Sequence, residues 1–154
     1  MNAHAPIEAI AAERFEIVDS DQRLAAIEPA WTALWRRGPG LVFQSHAWVE
    51  AWWRTVPGRE RRQLRIGLIW RGEELAAILP LAIQQRQGLR FLEWAAIDCT
   101  DYPDLLLDPR CPTDAVKRLW QQLLAAGGFD LYFLNRLRPE AKFRAILDAP
   151  EGLR

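Results

Sequence analysis

The chain has 154 residues, half of them hydrophobic and 26% charged, the composition of a single soluble domain with a full core. Twenty Lys and Arg balance twenty Asp and Glu, so no overall field draws the chain to nucleic acid or to an anionic membrane. No apolar run approaches the roughly 20 residues that span a bilayer, and Cys99 and Cys111 are too few for a disulfide scaffold.

The stretch from Met1 to Glu13 carries acidic residues and no long apolar segment, so it does not read as a signal peptide. Residues 1–13 are expected to be disordered and the protein cytoplasmic. Phe15 to Val18 alternates apolar and polar, a short strand. Ser20 or Asp21 then caps a helix predicted to run through Arg37, with Leu24, Ile27, Trp31, Leu34 and Trp35 on one face. Gly38-Pro39-Gly40 stops it.

A second helix opens at Ser45, whose hydroxyl can accept from the N–H of Ala47 or Trp48. Trp48 and Trp52 follow at i,i+4, Glu50 and Arg54 form an exposed pair, and Val56-Pro57-Gly58 ends the helix. Two of Trp48, Trp52 and Trp53 are expected in the core and the third at an interface. The basic run Arg59 to Arg65 reads as a solvated loop face.

Three strands are predicted next: Leu64 to Trp70, Leu75 to Ile83 and Leu89 to Ile97, joined by turns at Arg71-Gly72 and Gln87-Gly88. The middle one is nearly all apolar, as for a strand covered on both faces, yet holds Pro80. Proline cannot donate to a ladder, so Pro80 implies an edge, a bulge or an opening between strands. A polar knot follows at Asp98 to Asp104. The strongest helical stripe is Val116, Leu119, Trp120, Leu123 and Leu124, in a helix from Thr113 or Asp114 to Ala126 stopped by Gly127-Gly128. Leu131 to Leu134 is a last strand, and Pro139 starts a last helix with Phe143, Ile146 and Leu147.

The resulting order is β-α-α-β-β-β-α-β-α, an α/β (α+β) domain covering 1–154. Its sheet should be mixed and mostly antiparallel with helices on both faces, and the late helix should be a crossover between parallel strands.

In the knot, Asp98, Asp101 and Asp104 recur every third residue around Tyr102. Carboxylates beside a strand end can hold an amine or a sugar hydroxyl, or serve as a base. They also satisfy loop amides as turn residues do. Asp98, Asp101, Asp104 and Cys99 lack the spacing of an EF-hand loop and both histidines lie far away in sequence, so no metal site is read here. Cys99 with His46 would make a nucleophile and base only if folding joined them.

Three strings carry a family resemblance: Phe43 to Trp53 (FQSHAWVEAWW), Ala77 to Leu81 (AILPL) and Asp101 to Leu106 (DYPDLL). Together they resemble the CelD/BcsL-type acetyltransferases of cellulose and exopolysaccharide biosynthesis, relatives of the FemAB-like tandem acyltransferases built on the GNAT fold. The resemblance covers Phe15 to Asn135 and matches the first of two GNAT-like halves. It implies an N-terminal domain on the acceptor side of an acyl-CoA-dependent N-acetyltransferase, inactive alone. The substrate-binding residues would be Asp98, Asp101, Tyr102, Asp104, Ser45 and Trp48, with no catalytic residue assigned. Implied partners are the C-terminal half or a second copy, and a small amine or sugar acceptor.

Acetyl-CoA would be the intact protein's co-substrate, with none expected on this chain. GNAT folds cradle the cofactor diphosphate in a glycine-rich loop at a helix N-terminus. The corresponding Asp108-Pro109-Arg110-Cys111-Pro112-Thr113 has no glycine, a carboxylate and two prolines. The alternative is a non-catalytic pseudo-acyltransferase module that binds a partner protein or carbohydrate.

Overall fold

The computed structural model describes residues 12–148. The disorder expected for residues 1–13 lies outside the described residues as far as residue 11, whereas Glu13 already opens a strand. The elements are β1 (Glu13–Val18), α1 (Asp21–Ala26), α2 (Glu28–Arg37), α3 (His46–Thr55), β2 (Arg62–Leu64), β3 (Ile66–Arg71), β4 (Glu74–Leu79), β5 (Leu81–Arg86), β6 (Leu89–Trp94), β7 (Leu106–Leu107), α4 (Thr113–Ala126), β8 (Leu131–Tyr132) and α5 (Lys142–Leu147). This is the expected mixed α/β domain, with two mostly antiparallel sheets ordered β1-β3-β4-β7 and β2-β5-β6-β8.

The two sheets are halves of one bent ribbon. Leu64 faces Ala82, and three residues further along one strand and three back along the other Gly67 faces Leu79, so the pairing frame is unbroken across the bend. The predicted strand 75–83 is therefore β4 and β5 joined at Pro80, and the predicted strand 64–70 is the end of β2 and β3 joined at Arg65. Arg65 N still donates to Leu81 O (2.9 Å) across the bend.

The other edge of β4–β5 is not continuous. Leu81 faces Trp94 on β6, but Ile78 faces Leu106 on β7. Three positions on the inner strand (81 − 78) match twelve on its neighbour (106 − 94), so a loop is extruded between β6 and β7. Pro80 sits at that point. Its carbonyl accepts from Ala95 N (2.8 Å), and the N–H it lacks belongs on the same edge, where the neighbouring strand leaves. The opening anticipated from Pro80 is this one.

Alternation along β3 sends Ile66 and Leu68 to one face and Ile69 to the other. On the first face they meet Leu24, Ile27, Trp31, Leu34, Trp52 and Trp53 from α1–α3. On the second, Ile69, Leu79, Leu81 and Leu92 meet Val116, Leu119 and Leu123 of α4 and Phe143 of α5. A Cβ at Gly67 would lie 2.8 Å from Leu123 Cδ1 and 3.2 Å from both Leu119 methyl groups, so glycine sets how closely α4 approaches. α4 leads to β8, which runs parallel to β6, as a crossover should.

Four local expectations are corrected. The first helix is two, because Pro29 cannot supply the N–H that a continuous helix would send to Ala25. The last strand is only Leu131–Tyr132. α5 begins at Lys142 instead of Pro139, since its first amides are held by a carboxylate from the knot. The run from Arg59 to Arg65 is not all solvated: Arg65 is buried and donates to Gly127 O (2.9 Å), and the Arg62 side chain is 9% exposed.

Candidate functional site

The extruded loop from Ala95 to Leu105 packs against the start of α3 through a ladder of specific contacts. Ser45 caps α3, accepting from Trp48 N (3.2 Å) while donating to Val42 O (2.7 Å). Both roles of its hydroxyl are spent on the backbone. Gln44, buried just before it, accepts from Leu41 N and donates to Tyr102 O (both 2.9 Å). Trp48 donates from its indole to Thr100 Oγ1 (3.1 Å). Arg136 closes the loop from the far side, donating to Ile97 O (3.2 Å) and Thr100 O (3.3 Å).

The three aspartates of the knot separate into different roles. Asp104 is buried and accepts from Leu105 N (2.8 Å), Lys142 N (2.9 Å) and Phe143 N (3.0 Å), which makes it the cap of α5. With all three amides on it, Asp104 is a structural carboxylate, and its place among substrate-binding residues is not where its bonds lie. Asp101 is exposed. Asp98 is also exposed and meets Arg62 (3.3 Å). Tyr102 is 45% exposed, lies edge-on to Phe43 and carries the Arg138 guanidinium 4.6 Å above its ring.

Of the three clustered tryptophans, Trp52 and Trp53 are buried and Trp48 is partly exposed. Trp53 is anchored by donation to Asp21 (2.7 Å). Trp48 and Trp52 line a groove of about 410 Å³ with Ala51, Val56, Asp98 and Cys99. Flat aromatic faces beside a carboxylate suit a sugar ring or an ammonium group. Of the six residues expected to bind substrate, this groove gathers Trp48 and Asp98, together with Trp52 and Cys99, which the sequence also singled out. Ser45, Asp101, Tyr102 and Asp104 lie outside its lining.

Behind the groove is a charged cluster that the sequence reading missed. Glu93 of β6 is buried, with Arg86 at 3.2 Å and Arg62 at 3.9 Å. Burial pushes its carboxyl above the ordinary range, against the pull of both arginines. Arg62 lies over the Trp52 ring (5.8 Å) and reaches Asp98 at the groove's wall. The available signal was Glu93 itself, a carboxylate between Leu92 and Trp94 in an otherwise apolar strand end.

His46 and Cys99 form no catalytic pair. The His46 ring is buried, with Nε2 2.8 Å from Leu24 O and its edge packed on Trp31. Cys99 donates to Ala96 O (3.4 Å), and burial together with Asp98 pushes its thiol up, away from the thiolate. Among the described residues no group of three His, Cys, Asp or Glu side chains is disposed to hold a metal ion, and no helix is long and apolar enough to cross a membrane.

In the loop just before α4, the amides of Arg110 and Cys111 both turn onto Asp108. Asp108 is buried and accepts from Arg110 N (2.9 Å), Nε (3.1 Å) and Nη2 (2.9 Å), with Arg37 at 3.5 Å. The Arg110 guanidinium holds this carboxyl far below the usual aspartate range despite its burial. Cys111 N donates back to Asp108 O (2.9 Å), and Pro112 stands at the N-cap without a side-chain bond. A carboxylate paired with Arg110 thus fills the loop that leads into α4.

Comparison of the chain with protein-family models, with curated proteins and with solved structures returns no match.

Proposed function

We propose that this domain is the acceptor-binding, GNAT-like part of an acyl-CoA-dependent N-acyltransferase of the CelD/BcsL type, and that acyl-CoA is held by another domain. One observation carries the reading: an aromatic groove with a carboxylate wall lies between α3 and the loop extruded after β6, while Asp108 and Arg110 fill the entrance of α4. In the reaction, the acceptor amine attacks the thioester carbonyl, the new C–N bond replaces the C–S bond, and the CoA thiolate leaves as the amine gives up a proton. This domain would contribute orientation of the acceptor between Trp48, Trp52 and Asp98. Two free cysteines fit a cytoplasmic setting.

Calorimetry with a glucosamine trisaccharide tests the reading. Binding that weakens about tenfold (roughly 1.4 kcal/mol) in Trp48→Ala supports it. No heat with the trisaccharide, or micromolar binding of acetyl-CoA to this chain alone, refutes it.

A second reading, a non-catalytic module that docks a partner protein, is favoured by one other feature. Leu131, Tyr132 and Phe133 are 39%, 49% and 52% exposed at and beyond β8, which among the described residues has a strand neighbour, β6, on one side only. Loss of a co-purifying protein on Phe133→Ser, with trisaccharide binding absent, would decide for that module.

A further inference from the structure

A second cavity, of about 470 Å³, lies between the turn that carries Pro57 to Arg62 into β2 and the tip of the β5–β6 hairpin. Its polar side chains are those of Arg61, Arg62, Arg86, Gln84, Gln85 and Gln87, and no carboxylate lines it. It shares only Pro57 with the aromatic groove.

Two of the three arginines are held in place from behind. Glu93, outside the lining, stands 3.2 Å from Arg86 Nη1 and 3.9 Å from Arg62 Nη1. Arg86 also donates to Gln84 Oε1 (3.1 Å) and lies 4.5 Å over the Phe91 ring. Arg62 lies over Trp52, with Glu93 on one side and Asp98 3.3 Å from Nη2, and its buried Nε has no hydrogen-bond partner. Arg61 is 68% exposed at the mouth, with the Glu60 carboxylate 3.8 Å away. Carboxylates outside the cavity, Glu93 and Asp98, thus orient two guanidinium groups without meeting all their donors, and the cavity lining itself carries three arginines and no acid.

From this geometry we infer that the cavity binds the phosphoryl group of a small phosphorylated ligand. Guanidinium forks match phosphate oxygens two at a time, and arginines fixed before binding lose little freedom when they engage. A doubly charged phosphate monoester uses three guanidinium groups better than a carboxylate does. The cavity's size falls in the range of small-molecule sites, so the phosphoryl group is carried on a larger body such as a sugar. The glutamines supply neutral donors and acceptors for that body's hydroxyls.

Calorimetry on the full chain with glucose 1-phosphate, inorganic phosphate and glucose tests this. The expected result is binding of glucose 1-phosphate at least tenfold tighter than inorganic phosphate, and no heat with glucose. Arg61→Ala, at an exposed position that leaves the fold intact by circular dichroism, should weaken glucose 1-phosphate at least tenfold. Arg86→Lys should weaken it less, and Arg54→Ala on the exposed face of α3 should leave it unchanged. Inorganic phosphate binding as tightly as the ester overturns the assignment to a phosphorylated small molecule. No binding of either, or equal weakening in Arg54→Ala, overturns the site.

Discussion

Replacing Asp104 by alanine is the sharpest test of how the polar knot divides between structure and function. Its two oxygens accept three backbone N–H groups at 2.8–3.0 Å, two of them the first amides of α5. A hydrogen bond to a charged group contributes about 1.5–3 kcal/mol, and a buried amide left without a partner costs about 1–3 kcal/mol. The three bonds share one carboxylate and water can reach part of the site, so they do not add in full. The expected loss for Asp104→Ala is about 3 kcal/mol, or a Tm lower by roughly 6–12 °C for a chain of this size. Asp104→Asn keeps one accepting oxygen and should lose about half as much. Asp101→Ala, at an exposed position, should stay within about 0.5 kcal/mol. Urea unfolding followed by tryptophan fluorescence reads all three. If Asp104→Ala unfolds within about 0.5 kcal/mol of the parent, the carboxylate is not the cap of α5 and the division of the knot is wrong.

Gly67→Val should cost about 2 kcal/mol in urea unfolding, because the new methyls meet Leu119 and Leu123 in a packed face; a neutral result would mean that α4 is free to move. Glu93 is easier to protonate in the folded chain than in the unfolded one. Its contribution is therefore full below the ordinary glutamate range and lost as pH rises through its raised pKa, a slope that Glu93→Gln should remove from the urea midpoint measured against pH. Asp108 has the opposite sign. Its depressed pKa gives stability that is present above the ordinary aspartate range, near 4, and is lost as pH falls below it, so Asp108→Asn should unfold with a weaker pH dependence between pH 4 and 2.

Much of the fold was legible because local chemistry and tertiary position agree. Thr113 to Ala126, with its apolar stripe and the Gly127-Gly128 stop, is α4 as predicted, and Ser45 caps α3 as predicted. Pro80, read as an edge, a bulge or an opening within one strand, instead stands between two strands, β4 and β5. What the sequence could not give was the partner of each strand half, since a bend in a ribbon leaves the period-2 pattern intact on both sides. The site was half legible. Trp48 and Asp98 do share a groove, but Asp104 serves a helix that begins 38 residues later, and nothing near Asp104 announces that. Arg62 and Glu93 were hidden for a related reason: a charge run looks solvated until the fold supplies the buried carboxylate that draws one arginine inward.

The acceptor-side assignment is tested most directly by two-dimensional ¹⁵N NMR of the whole chain. Titration with a glucosamine trisaccharide should move the indole N–H signals of Trp48 and Trp52, while acetyl-CoA should leave the backbone amides of Arg110 to Ala115 in place. Acetyl-CoA shifting those α4-entrance amides at micromolar concentration, with the indole signals indifferent to the sugar, would contradict it.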